Sequence, residues 1–61
     1  MRKTKMFAVE LTDHHPQWGG KTERSPFAYR EQAESWAAEE VSAAQELGMG
    51  PISYRVFPIE V

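Results

Sequence analysis

Asp13, His14 and His15 stand side by side, a carboxylate next to two imidazoles, and that donor set invites a metal ion. A tetrahedral site needs further ligands, however, and the chain has no cysteine and no second cluster to supply them. The three residues therefore read as a solvated loop, with no metal and no cofactor expected. Hydrolytic chemistry finds no support either. Asp13 is the sole aspartate, and Ser25, Ser35, Ser42 and Ser53 stand in no nucleophile-elbow setting. Gly19-Gly20 lacks the strand–glycine-rich–helix order of a phosphate loop. Glutamates on an open helix face lack the burial that acid–base catalysis relies on. The sequence predicts a protein that is not an enzyme.

The chemistry left is charge. Arg30 to Leu47 carries the five glutamates Glu31, Glu34, Glu39, Glu40 and Glu46, and no lysine or arginine after Arg30. Ordinary helix design places Glu and Lys four apart, so this one-sided content is not required for helix formation. At roughly 100° per residue, Ala33, Trp36, Ala37, Val41, Ala43, Ala44 and Leu47 fall on one arc. Glu31, Glu34, Glu39 and Glu46, with Gln32, Ser35 and Ser42, fall on the other. Two readings fit the acidic arc: a solvated face, or a carboxylate array that docks on a basic groove. Glu40 lies inside the apolar arc. It must reach the sheet edge or find a cation, Arg55 or Lys5, unless the helix is rotated so that it meets solvent. Trp18, beside Gly19-Gly20, is either folded back over the sheet or exposed as a partner anchor. The candidate partner-binding residues are Glu31, Glu34, Glu39, Glu46 and Trp18.

These side chains need elements to hold them. Residues 4 to 12 alternate with period two, Phe7, Val9 and Leu11 on one face and Met6, Ala8 and Glu10 on the other, which predicts a strand. Asp13 to Gly20 is rich in turn formers and predicts a hairpin loop. Lys21 to Arg24 returns as a short strand closed by Ser25-Pro26. The helix begins after Ala28 or Tyr29, with Phe27 placed to staple onto its first turns. Gly48, Gly50 and Pro51 end it. Ile52 to Val61 is the last strand, and Pro58 puts it at a sheet edge. A right-handed crossover then gives an α+β fold, ββαβ, with a three-stranded antiparallel sheet in the order 2-1-3 and one helix on one face. Trp36 is expected as the central knob against Phe7, Val9, Ile52 or Tyr54. The uncovered face is expected to expose Met6, Ala8, Phe57 and Ile59, a strip suited to dimerisation.

Sixty-one residues make a single small domain, 1–61, near the lower limit for folding without staples. The apolar run Met6 to Val9 behind the basic start stops at Glu10, too short for an export signal or a membrane span. A cytoplasmic location is the expectation.

The segment Phe27 to Ala37, FAYREQAESWA, resembles the helix start of many small ββαβ proteins of phages and other mobile elements. In size and acidity the chain also resembles the anti-CRISPR and other anti-defence proteins of phages. That resemblance implies a phage inhibitor that imitates nucleic acid with carboxylates. Its partner would be a larger protein with a basic nucleic-acid-binding surface, such as a CRISPR effector subunit. Two other readings remain. One is a direct nucleic-acid binder using Arg2, Lys3, Lys5, Lys21, Arg24 and Arg30, with Trp18 or Phe57 stacking on bases. The other is a structural module that dimerises through its open sheet face.

Overall fold

A computed structural model describes residues 4–61. It contains β1 (Lys5–Asp13), β2 (Gly20–Phe27), α1 (Arg30–Glu46) and β3 (Ile52–Glu60). The three strands form one antiparallel sheet in the order β2-β1-β3, as the crossover argument predicts. No helix among the described residues is long and apolar enough to cross a membrane.

The β1–β3 ladder is continuous from Lys5 opposite Glu60 to Asp13 opposite Ile52. Thr4 and Val61 exchange both of their N–H···O bonds at 3.0 Å, and the His14 N–H reaches Pro51 O at 2.8 Å. Antiparallel bonding alternates, so Ile59, Phe57, Arg55 and Ser53 bond to β1. Ile52, Tyr54, Val56 and Pro58 turn their backbone groups to the free edge. Pro58 therefore costs this ladder nothing, and its missing N–H blocks a further strand from pairing there.

β2 is longer than its polar sequence predicts. Phe7 pairs with Phe27 but Val9 pairs with Arg24, so two residues of β2, Ser25 and Pro26, oppose Ala8 alone. This bulge absorbs the proline that was expected to end the strand. It also places Phe27 beside Phe7.

Tyr29 is the helix N-cap, extended at φ −128° and ψ 144°, with no side-chain cap bond. The C-terminus is a Schellman turn. Gly48 adopts φ +75°, its N–H donates to Gln45 O at 3.0 Å, and the Met49 N–H donates to Ala44 O at 2.9 Å.

The helix lies across β1 and β3 more than across β2. Its seam is made of small residues: Ala33 and Ala37 are fully buried with Val9, which is the largest side chain wholly removed from solvent. Phe7, Leu11, Phe27, Trp36 and Val56 pack around that centre, each partly buried. Trp36 is thus not the central knob. It stands on the β2 flank, its ring 5.8 Å from that of Phe27. Alanines at the seam let the helix approach too closely for an indole to fit beneath it.

The uncovered face also differs from expectation. Met6, Ala8, Phe57 and Ile59 do share it, but Ala8 is fully buried and the other three are half-buried. Arg55 covers part of this strip, its guanidinium 4.8 Å from the Phe57 ring centroid while its Nε pairs with Glu10 Oε1 at 3.4 Å.

Candidate partner-binding surface

All five helix glutamates, Glu31, Glu34, Glu39, Glu40 and Glu46, are exposed. Among the described residues none is held by a cation, and the last turn of the helix has no basic side chain. The negative end of the helix dipole is therefore left uncompensated.

Glu40 finds neither of its expected cations. Arg55 is engaged with Glu10 on the opposite face of the sheet, and Lys5 lies at the far end of β1. Glu40 meets solvent instead, at the mouth of a groove between the helix and the β1–β2 hairpin. The helix meets β2 less than β1 and β3, and Glu40 projects on the side of the groove that Lys21 and Thr22 of β2 line.

The groove has a volume of about 350 Å³. Leu11, Ala44 and Ile52 form its base, and Trp18, Leu47 and Met49 stand at its walls with Asp13, Lys21 and Glu40. Its wall residues include three conspicuously exposed apolar side chains, with Trp18 77%, Leu47 77% and Met49 49% accessible. Leu47 belongs to the apolar arc on the wheel, yet the structure leaves it and Ala43 exposed while Ala44 between them is buried. Leu47 and Met49 are thus site residues that periodicity does not reveal. The local signal is Leu-Gly-Met-Gly: a Schellman turn brings the residue after its glycine back toward Ala44.

Trp18 is exposed on a loop that is tightly bonded. The His15 Nδ1 accepts the N–H groups of Gln17 and Trp18, each at 3.1 Å, so it is the unprotonated nitrogen of the ring. The Asp13 Oδ1 accepts the His15 N–H at 2.9 Å, and the Gly19 N–H closes the turn onto His15 O at 3.0 Å. The Trp18 ring leans on the His15 ring at a centroid distance of 5.0 Å. His14 turns away and meets the Ser53 Oγ through its Nε2 at 2.8 Å, tying the loop to β3. Asp13 and His15 thus serve the loop's own geometry, and His14 anchors it. No group of three or more potential ligands that could hold a metal ion occurs among the described residues. Gly20-Lys21-Thr22 has the residues that close a phosphate loop, but they open a strand, so no helix N-terminus is there to receive phosphate.

Gly19 is required by close approach. A Cβ on it would collide with the backbone carbonyl oxygens of His15 and Asp13, whereas a Cβ on Gly20 would meet nothing within 4 Å. Gly19→Ala is expected to cost about 1–3 kcal/mol and to raise amide exchange at Gln17 and Trp18, while Gly20→Ala leaves both unchanged. Hydrogen exchange read by NMR on the two variants checks this. Equal protection in both would show that the loop does not depend on the Gly19 contact.

The basic residues are dispersed. Arg2 and Lys3 lie outside the described residues. Arg24 rests over Trp36 and Phe27, its Cζ 5.0 and 5.5 Å from the ring centroids, and Arg30 rests over Phe7 at 5.1 Å. Lys21 is at the groove and Lys5 at the opposite end of β1. Phe57 is half-buried and already partnered by Arg55. Comparison with protein-family models, curated proteins and solved structures finds no match to this chain.

Proposed function

We propose that this chain is a non-enzymatic binding protein that docks its acidic helix on a basic, nucleic-acid-binding surface of a larger protein and blocks it. The observation that carries this reading is the exposure of all five helix glutamates with no cation among the described residues to neutralise them. In such a complex Glu31, Glu34, Glu39 and Glu46 stand in for phosphates against lysines and arginines, and Trp18 offers a separate contact at the groove beside Glu40. Long-range attraction speeds docking and weakens as salt rises. A CRISPR effector subunit, with the chain as a phage-type inhibitor, is the version suggested by the resemblance in size and acidity. Direct nucleic-acid binding has less support, since Arg24 and Arg30 are both laid on ring faces.

The test is a variant with Glu31, Glu34, Glu39 and Glu46 changed to glutamine, compared with wild type in capture from a host lysate. The fold should survive, because these positions are exposed and lose mutual repulsion. Wild type is expected to capture a nucleic-acid-binding protein and to inhibit its DNA binding. The variant is expected to bind that protein about 10–100-fold more weakly, at roughly 0.5 kcal/mol per lost charge contact. Equal affinity of the two would end the mimicry reading, and a gel shift of DNA by the chain itself would replace it with direct binding.

A further inference from the structure

We propose that the groove between the hairpin loop and the helix end anchors an apolar side chain carried on a basic peptide segment of the partner. This deepens the reading above and rests on it for the sign of the partner's charge.

Three independent features of the chain converge on this groove. The hairpin loop invests bonds at His15 Nδ1, His15 O and Asp13 Oδ1 in one conformation, and that conformation leaves Trp18 77% exposed. A tryptophan on a well-bonded loop loses little conformational freedom on binding, which is what an interface anchor requires. The Schellman turn at Gly48 holds Leu47 and Met49 on the opposite wall, both substantially accessible. The floor is apolar through Leu11 and Ile52. A concavity of about 350 Å³ with mixed apolar and polar lining can receive a leucine- or phenylalanine-sized group on its apolar side.

Charge selects what carries that group. Glu40 stands exposed at the groove with Lys21 and with Asp13, whose Oδ1 already holds the His15 N–H, and the helix ends there with no basic residue in its last turn. An apolar side chain flanked by lysine or arginine satisfies both the walls and the rim.

The probe is a short fluorescein-labelled peptide of lysines and arginines with a leucine–phenylalanine pair at its centre, read by anisotropy. A matched peptide carries two serines at that centre. The apolar-centred peptide is expected to bind roughly tenfold more tightly than its serine counterpart. Leu47→Ser and Met49→Ser, at exposed sites that leave the fold intact, should each weaken it about fivefold and leave the serine peptide unaffected. The quadruple glutamine variant should weaken both peptides alike.

The outcomes separate the two ideas. Equal binding of both peptides, or indifference to Leu47→Ser, overturns the anchoring groove while leaving the acidic helix in place. Full sensitivity to Leu47→Ser with none to the quadruple variant keeps the groove and removes the acidic-helix reading. Dimerisation in sedimentation that Leu47→Ser abolishes would assign the groove to a second copy and overturn the proposal.

Discussion

Ala37→Leu is expected to lower the stability of this protein by about 3 kcal/mol. Ala37 and Ala33 have no exposed surface and sit directly against Val9, so their methyl groups set the distance between helix and sheet. Leucine adds three heavy atoms where no volume is free. The helix must lift, and lifting it exposes Val9 and loosens the partly buried ring of Phe7, Leu11 and Val56. A domain of this length has roughly 3–9 kcal/mol in total, so the variant should be partly unfolded at ambient temperature. Thermal melting followed by circular dichroism should show a midpoint lowered by roughly 12–24 °C. Ala38→Leu, one residue along and exposed, supplies the control and should melt near wild type. Similar melting of both leucine variants would mean that the helix is not seated on its alanines.

Trp36→Ala is expected to cost about 2–4 kcal/mol, less than a fully buried tryptophan because the ring keeps one side toward solvent. Two contacts are lost together. The ring stacks obliquely on Phe27 at 5.8 Å, and Arg24 lies over it at 5.0 Å. These contacts hold the bulged end of β2 to the helix, so β2 should loosen before the β1–β3 ladder does. Trp36→Phe should recover most of the loss. Hydrogen exchange offers the sharper reading: amides of β2 should lose protection in Trp36→Ala while those of β1 facing β3 retain it. Uniform loss across the sheet would show that Trp36 supports the whole core.

The elements and their order are legible in the sequence because they depend on periodicity and punctuation. Alternation through Phe7, Val9 and Leu11 marks the first strand, and Gly48 with Pro51 marks the helix end. Pro58 identifies an edge strand, and the ladder shows why: its missing donor falls at an outward-facing position. The exposure of Glu31, Glu34, Glu39 and Glu46 also follows from the wheel, since the polar arc is opposite the alanine seam.

Burial within the apolar arc was decided by tertiary structure. The wheel says on which side of the helix a residue lies, but not how far the surface beneath it extends. Leu47 and Trp36 share an arc with Ala37, yet one stands exposed in the wall of the groove and the other leans against the β2 flank. Glu40 falls in the same arc and still reaches water, at the groove where the helix meets β2 least. Composition identifies Asp13 to Gly20 as a loop, but the bonds at His15 Nδ1 that present Trp18 depend on a backbone path no residue pattern encodes. Residue spacing sets β1, β3, the helix and the sign of its outer charge, all local consequences, but not the run of β2 past Pro26 to Phe27. The tertiary structure decided which apolar side chains are left over to form a groove, because that depends on where two finite surfaces cease to overlap.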